Sequence, residues 1–534
     1  MRLIRLLWFP FLILVLPALV FSLFLPYFPV DETRYLSVAW EMRQQNSFIV
    51  PLQNALPYSH KPPLLFWLFN MDWLLLGVNE ATLRFIPVSF SLLNVALVHR
   101  ISLLLWDDEK VARYAAIILS STLSYLLWSA LIMFDVVLTS WVLLAIFGLL
   151  TAAKNHSAKA WLLVGISIGG GLLTKGPVVL VYILPCAVFA FLWIPKEKFS
   201  RSWYAWLTLS LCLGIAIVLA WLIPAAMSGG QAYREAILWG QTVNRVANSF
   251  AHKRPFWWYL PLLPALLFPW SVFTPAWRGC SRLAKDPGSR LLIIWALSTL
   301  LIFSLISGKQ FHYLIPVLPA FSMLMARNMA LCEPGEKTGS WRYAIAAFYS
   351  ALGVAAFVLS LLNLGGNIGY IGTSGLRLLA LGLTAIGLTL FFFRQRSFSR
   401  VVSYTAFSSL LGYLVVFASG SALFDRYDLH GISGVLKAKQ EAGYSVLHIG
   451  KYHGQYHFLG RLDQPLVALG SKEAAGAYAA SHEKVALITY EPETKVIRGE
   501  DVYFQQPFRS KKLVLWNKRG ISGLCQSELE PAGR

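Results

Sequence analysis

Long apolar stretches dominate this sequence and restrict its fold more than any other feature. Hydrophobic residues make up 57% of the chain and charged residues 13%, whereas a soluble domain is about 45–50% apolar and about 25% charged. The stretches are continuous rather than alternating, which disfavours a β-barrel and indicates helices of about 17–25 residues that cross a bilayer. We predict an α-helical polytopic membrane protein with about thirteen spans, near 8–29, 83–105, 112–130, 134–152, 160–173, 177–194, 204–226, 258–277, 291–307, 312–328, 342–364, 375–394 and 402–422.

Lysine and arginine are distributed unevenly between alternate loops. With the N-terminus inside, the short inner segments hold 20 of the 46 basic residues, the opposite loops hold 11 and the C-terminal tail holds 15. This bias sets the orientation of a polytopic protein. The net charge of +20 therefore reflects topology, and we expect no nucleic-acid partner.

The chain changes character after residue 424. Residues 425–534 are polar, and they alternate predicted strands near 445–449, 484–490 and 512–516 with predicted helices near 434–441 and 472–481. We predict a transmembrane domain over 1–424, with outer loops near 30–82 and 228–256, and an α/β domain over 425–534 on the same outer side. The apolar stretch 63–78 is too short to span a membrane and is interpreted as re-entrant or interfacial. The aromatic cluster 452–457 is either a carbohydrate-stacking surface or the ordinary apolar face of a helix.

The first outer loop carries two polar motifs. The first, DETRY at 31–35, brings Asp31 and Arg34 to one face of a helix; a simpler interpretation makes Asp31 the N-cap of that helix. The second, YSHKPP at 58–63, presents Tyr58, His60 and Lys61 before two prolines. Lys61 suits a phosphate group, and its alternative role is that of an interfacial lysine whose ammonium reaches water.

Further polar groups are predicted on the same outer side. An ionisable group at membrane depth costs about 2.5–3.5 kcal/mol on insertion scales, so several on one side indicate a site. Their mixture of carboxylates, cations, histidines and aromatic rings suits an anionic lipid phosphate with a sugar attached. These groups include Asp135, Lys175, Arg245, His252, Lys253, Lys309 and Tyr313.

The order and spacing of these motifs resemble the membrane glycosyltransferases of GT-C type, and among them the lipid A aminoarabinose transferases, which are similar to protein O-mannosyltransferases. The resemblance covers about residues 1–330. It implies transfer of a sugar, such as 4-amino-4-deoxy-L-arabinose, from an undecaprenyl-phosphate carrier to lipid A or another envelope acceptor. It also implies a bacterial inner-membrane protein with a periplasmic active site and C-terminal domain.

The resemblance also implies roles for individual residues. Asp31 matches the catalytic carboxylate, and Asp135 matches a second acid near the acceptor. The remaining matches and neighbouring cations are expected to bind the donor phosphate or substrate: Arg34, Tyr58, Lys61, Lys175, Arg245, Lys253, Lys309 and Tyr313.

The metal site implied by the resemblance departs from the family pattern. His252 is a looser match to a family histidine that helps to hold zinc, but His60 stands where the family commonly has a glutamate ligand. His60 and His252 could still bind zinc. Alternatively, Lys61, Arg245 and Lys253 neutralise the phosphate without a metal.

Two other functions remain open at this stage. A transporter or flippase of lipid-linked sugars would share a basic aromatic cavity, although its polar residues should lie near the membrane midplane rather than at helix ends. A scaffold for envelope assembly would not need Asp31 and Lys61. For the transferase, single displacement predicts inversion at the anomeric carbon.

Overall fold

The protein, here a computed structural model, forms two compact units and is described over six ranges of residues. The first unit comprises Met1–Leu23, Ser59–Leu68 and Leu76–Gly420; the second comprises Phe24–Tyr58, Phe69–Leu75 and Ser421–Arg534. The described ranges are 2–240, 253–277, 280–331, 341–362, 371–392 and 398–529.

The first unit consists of helices, many of them long enough to cross a membrane. Over the described ranges, nine apolar helices have that length, or ten if α5 and α6, which meet at 64°, form one bent span; the predicted count of thirteen is not confirmed. The helices before residue 420 are α1 (Arg2–Phe24), α2 (Asp31–Gln44), α3 (Leu64–Leu76), α4 (Phe85–Trp106), α5 (Glu109–Ser121), α6 (Leu123–Ala130), α7 (Phe134–Asn155), α8 (Ala158–Lys175), α9 (Val179–Val188), α10 (Ala190–Trp193), α11 (Ser202–Ser228), α12 (Gln231–Glu235), α13 (Tyr259–Leu266), α14 (Cys280–Leu283), α15 (Pro287–Leu305), α16 (Leu318–Leu331), α17 (Trp341–Leu361), α18 (Gly372–Phe392) and α19 (Phe398–Ser419).

Two regions account for much of the difference in span count. The predicted span 258–277 contains one short α-helix, the eight-residue α13, which includes Pro264 and ends at Leu266. Pro269 and Pro275 follow it, and neither has a backbone N–H to donate to a continuing helix. The predicted spans 160–173 and 177–194 fall largely in one apolar stretch, Ala158–Val188. Helix α3 has 13 residues, about 20 Å in length, which is too short to cross the bilayer.

The second unit contains a five-stranded mixed sheet in the order β4-β3-β5-β7-β6. Strand β3 pairs in parallel with β4 and β5, and β7 pairs antiparallel with β5 and β6. The three predicted strands and two predicted helices are present, whereas β4 and β6 were not predicted. The elements are a short hairpin, β1 (Leu52–Gln53) and β2 (Leu56–Pro57), then α20 (Ser421–Asp425), α21 (His430–Glu441), β3 (Ser445–Ile449), α22 (His457–Gly460), β4 (Val467–Leu469), α23 (Lys472–Ser481), β5 (Val485–Pro492), β6 (Val502–Phe508), β7 (Lys511–Trp516) and α24 (Lys518–Leu529).

Alternating side chains give this sheet two buried faces. Val446 and Ile488 pack into a core with Leu436 of α21, while neighbouring Leu447 and Leu487 face the opposite core, which includes residues of α23 and α24. This alternation follows from the two-residue repeat of a strand. The result is a helix–sheet–helix arrangement.

The second unit also includes α2 and the β1–β2 hairpin, which lie far from the sheet in sequence. Asn54 at the hairpin turn donates to the Leu466 carbonyl at 2.8 Å and accepts from the Leu466 amide at 2.8 Å. Gln44 of α2 donates to Asp463 at 2.6 Å. The predicted boundary at residue 424 stays a prediction, and the observed unit combines residues on both sides of it.

The aromatic cluster 452–457 belongs to the core of the second unit. Tyr452 is 7% exposed, Tyr456 0% and His457 2%. The Tyr452 hydroxyl and His457 Nδ1 are hydrogen-bonded at 2.7 Å. These three side chains therefore form an interior face rather than a carbohydrate-stacking surface.

We predict that the second unit loses stability as pH falls from about 6.5 to about 4. Burial lowers the pKa of both His448 and His457 from 6.5 to about 4, so the unfolded chain binds more protons in that window. Full protonation should cost on the order of 3 kcal/mol for each histidine. Hydrogen–deuterium exchange of β3 and β5, corrected for intrinsic rates, measures this loss of stability. His457→Gln should reduce the pH dependence of the stability, whereas the control His482→Gln, at an exposed histidine, should not.

Candidate active site

The first group of predicted site residues lies on α2. Asp31 is in the first helical turn with its side chain 54% exposed, and it forms an ion pair with Arg34. The Tyr35 hydroxyl lies 3.5 Å from Asp31 Oδ1, and the Arg34 guanidinium lies 5.4 Å from the Tyr35 ring centroid. Helical spacing thus brings a carboxylate, a cation and a phenol to one face, as predicted for Asp31 and Arg34.

Asp31 does not cap this helix. The N-cap is Val30, which makes no side-chain capping bond. Glu32 instead makes a hydrogen bond to the segment before the helix, because its Oε2 accepts from the Phe28 amide at 2.9 Å and its side chain is buried. The Asp31 carboxylate is consequently available at the surface of the second unit, and the capping interpretation is wrong.

Tyr58 belongs to the same unit and is an electrostatic neighbour of Arg34. It follows β2, its amide donates to the Pro51 carbonyl at 2.7 Å, and it is 3% exposed. Burial by itself lowers the pKa of Arg34, but Tyr58, Tyr35 and Asp31 outweigh burial and raise it. Arg34 therefore stays cationic, and its buried Nε has no hydrogen-bond partner among the described residues.

The second group of predicted residues lies in the first unit. Asp135, in the first turn of α7, is 1% exposed and lies 2.5 Å from the ammonium of Lys175 at the end of α8. That ammonium also lies 5.2 Å from the ring centroid of Tyr313. The Tyr313 carbonyl accepts a hydrogen bond from Tyr182 at 2.8 Å. The fold thus brings together three residues that are spread over 178 positions of the sequence.

Basic side chains outnumber acids in this second group. Lys61 lies 5.5 Å from the ring centroid of Phe134, next to Asp135. Lys61, Lys175 and His312 all interact electrostatically with the Asp135 carboxylate. One carboxylate thus interacts with two lysines and a histidine. His312 adjoins Tyr313, and its ring is stacked on that of Trp128 with the centroids 6.3 Å apart.

Lys309 makes contacts with the protein backbone. It is 3% exposed, and its ammonium donates to the Arg254 carbonyl at 3.1 Å and the Ile306 carbonyl at 2.5 Å. Burial lowers its pKa. Beside it, Lys253 pairs through its backbone with Gly308, and its side chain is exposed. Lys309 therefore connects two segments of the first unit, and the substrate-binding roles predicted for both lysines stay predictions.

The described residues provide only part of the predicted metal site. Arg245 and His252 lie outside the described residues, whereas His60 is described and exposed. In the described part of the chain, no three His, Cys, Asp or Glu residues are grouped as metal ligands. The zinc expectation stays a prediction.

Several known proteins are similar to this chain in amino-acid sequence. Residues 60–222 match the family model described as Dolichyl-phosphate-mannose-protein mannosyltransferase. The undecaprenyl phosphate-alpha-4-amino-4-deoxy-L-arabinose arabinosyl transferase of Pectobacterium carotovorum is 31% identical over 354 residues, and that of Pectobacterium atrosepticum is 32% identical over 353. Each alignment covers 62% of this chain and 61% of the relative. The predicted resemblance to the aminoarabinose transferases is confirmed.

Solved structures match over nearly the whole chain. Crystal structures of ArnT from Cupriavidus metallidurans, one in the apo state and one bound to undecaprenyl phosphate, have TM-scores of 0.75 and 0.73 at 18% identity. They cover 96% and 95% of this chain, and the matches span 98% and 97% of theirs. The predicted fold class, a helical multi-span membrane protein with a small C-terminal α/β domain, is confirmed.

We predict that stability and activity respond differently to charge removal at Asp135 and Lys175. Lys175→Met leaves a buried carboxylate without its nearest cation, which should cost about 3–5 kcal/mol and lower Tm. Adding Asp135→Asn removes the unpaired charge and should recover most of that stability. Thermal unfolding of the purified protein tests this part.

Activity should stay low in the double variant if the pair also takes part in a reaction. A double variant that regains both Tm and full activity would show that the pair is structural only. Arg290→Met, which removes an exposed cation from α15, is the matched control for loss of a positive charge.

Proposed function

We propose that this protein is a glycosyltransferase that moves a sugar from an undecaprenyl-phosphate carrier to lipid A or another envelope acceptor. The sugar would be 4-amino-4-deoxy-L-arabinose or a relative. The observation that carries the proposal is the Asp31–Arg34 pair, an exposed carboxylate held by a cation on one face of α2. The sequence relatives are named for transfer of this sugar from this carrier, and one structure with the same fold was solved with undecaprenyl phosphate bound.

Positive charge in the first unit suits a phosphate leaving group. Breaking the bond between the anomeric carbon and the carrier phosphate leaves negative charge on the phosphate oxygen, and cations fixed in advance stabilise it. Asp135 neutralises much of the charge of Lys175 at 2.5 Å. We assign Lys61, which lies 5.5 Å from the ring centroid of Phe134, and Lys175 with Tyr313 as the groups that bind the phosphate.

Asp31 has a role that depends on the acceptor. A sugar or protein hydroxyl must lose its proton as it attacks, and an exposed carboxylate can accept that proton as a general base. A lipid A phosphate is already ionised, so Asp31 would then orient it or the sugar. In both cases Arg34 holds the Asp31 carboxylate, and the Arg34 Nε–H can donate to the substrate.

We place the reaction at the periplasmic face of the bacterial inner membrane. Basic residues are concentrated in alternate loops, which puts the first loop on the outer side by the positive-inside rule. A zinc ion held by His60 and His252 would add positive charge at the leaving phosphate; His252 lies outside the described residues.

Asp31→Ala and Asp31→Asn should each reduce sugar transfer by about 10²–10⁴-fold, the usual contribution of a positioned acid or base. Transfer from undecaprenyl-phosphate sugar to lipid A is measured by mass spectrometry with purified protein in lipid. Asp463→Asn is the control, because it removes an exposed carboxylate that also contacts α2 through Gln44 but has no part in the proposed chemistry.

Full transfer by folded Asp31→Ala protein would contradict the proposed role of Asp31. No transfer by the wild-type protein to any envelope acceptor, combined with movement of lipid-linked sugar across vesicles, would favour a flippase instead. A further experiment deletes the gene and compares lipid A, surface glycans and envelope glycoproteins by mass spectrometry. The component that loses mass is the acceptor, and the mass lost identifies the sugar.

The anomeric configuration of the product should be opposite to that of the donor. Single displacement places the acceptor oxygen on the face opposite the departing phosphate, so the anomeric centre inverts. Proton–proton coupling constants from NMR spectra of donor and product report the two configurations. Retention would require two displacements and would overturn the single-step mechanism.

A further inference from the structure

The C-terminal part of the second unit contacts α2 close to Asp31 and Arg34. Ser37, one turn after Arg34, is completely buried, and its hydroxyl donates to the Gly454 carbonyl. The same hydroxyl accepts from the Phe458 amide at 3.3 Å. One side chain of α2 thus fixes the loop that contains His453, which we call the 451–456 loop.

Gly454 allows the 451–456 loop to approach α2 this closely. Its φ is +77°, a region that side chains rarely adopt, and an added Cβ would lie 3.2 Å from the Ser37 Cβ. Gln53 of the hairpin stands on the other side, with its amide nitrogen 3.3 Å from the same position. Because both neighbours confine Gly454, the adjacent His453 has a defined place near α2.

His453 lies near the charged pair on α2, because the adjacent Gly454 contacts Ser37 one turn after Arg34. The charged groups that act on its imidazole are Arg34 and Asp31 from α2 and Lys451 from its own loop. Its amide donates to the Gln455 side chain at 3.1 Å. Its ring is partly exposed and makes no hydrogen bond within the described ranges. The imidazole can therefore accept a ligand next to Asp31 and Arg34.

The protonation of His453 determines which ligand suits it. Burial lowers its pKa below 6.5, as do Arg34 and Lys451, while Asp31 opposes them. A neutral imidazole has one N–H donor and one nitrogen acceptor. A sugar hydroxyl also donates and accepts hydrogen bonds, so it can bond either nitrogen of a neutral imidazole. A phosphate, in contrast, binds more strongly to a cation.

We propose that His453 is a sugar-binding residue of the site built on Asp31 and Arg34, held in place by Ser37 and Gly454. This inference rests on the proposed glycosyltransferase function and extends it. The C-terminal domain then contributes directly to substrate recognition. The sugar is that of the donor or that of the acceptor, and separate measurements for the two substrates distinguish them.

The test compares His453→Ala and His453→Gln with wild-type protein in lipid. Loss of one hydrogen bond to the sugar should raise KM for the sugar-bearing substrate by about 5–10-fold, while Kd for undecaprenyl phosphate, which has no sugar, stays unchanged. An increase in KM for the donor assigns the donor sugar, and an increase for lipid A assigns the acceptor sugar. Glutamine, which also donates and accepts, should restore much of the affinity.

The pH dependence of KM gives a second measurement that a structural role would not change. As pH falls through the pKa of His453, its acceptor nitrogen becomes protonated and KM of the wild-type protein should rise. His453→Gln should lack this additional increase. Gly454→Ala, which displaces the 451–456 loop, should raise KM in the same way as His453→Ala, and His482→Ala, which removes an exposed histidine of the same unit, should leave both constants unchanged.

The outcomes separate this inference from the function on which it rests. If Asp31→Ala abolishes transfer but His453→Ala keeps wild-type KM for both substrates, the function stands and the His453 assignment is overturned. A weaker Kd for undecaprenyl phosphate in His453→Ala would also overturn it, because the residue would then serve the phosphate or the fold. If wild-type protein transfers no sugar, the proposed function fails and this inference fails with it.

Discussion

The carboxylate of Asp135 can be buried at the start of a membrane helix only because the Lys175 ammonium lies 2.5 Å away. An isolated charge in such surroundings is strongly unfavourable, whereas a paired charge is tolerated. The pair fixes α7 relative to the end of α8 and places Tyr313 beside the same ammonium. The arrangement of these three side chains thus depends on an electrostatic requirement that helix packing satisfies.

The second unit uses a different physical principle to hold Asp31. Its carboxylate is exposed, so its position depends on the backbone that carries it. Arg509 in the β6–β7 turn donates to the Pro29 carbonyl at 2.6 Å, just before α2, and Ser37 bonds the 451–456 loop one turn after Arg34. Helix α2 is therefore anchored on both sides of Arg34 by residues more than 400 positions away in sequence.

The sequence was sufficient for features that depend on local chemistry. Helical spacing predicted that Asp31 and Arg34 share a face, and short apolar runs between helix-like stretches predicted β3, β5 and β7. Hydropathy was misleading for 258–277, where the α-helix ends at Leu266 and Pro269 and Pro275 follow it. It also missed β4, whose three residues are too few to show a repeat, and β6, which is polar in part and pairs only through its neighbour β7.

Hydropathy, charge bias and motif spacing by themselves determined that this chain is a multi-span membrane protein with an α/β tail and a set of candidate site residues. These properties are readable because apolar length and periodicity act over a few turns of one helix or strand. Only the tertiary structure decided which distant residues meet, such as Asp135 with Lys175 and the 451–456 loop with α2. Such contacts depend on the packing of whole elements, and no local pattern in the sequence records them.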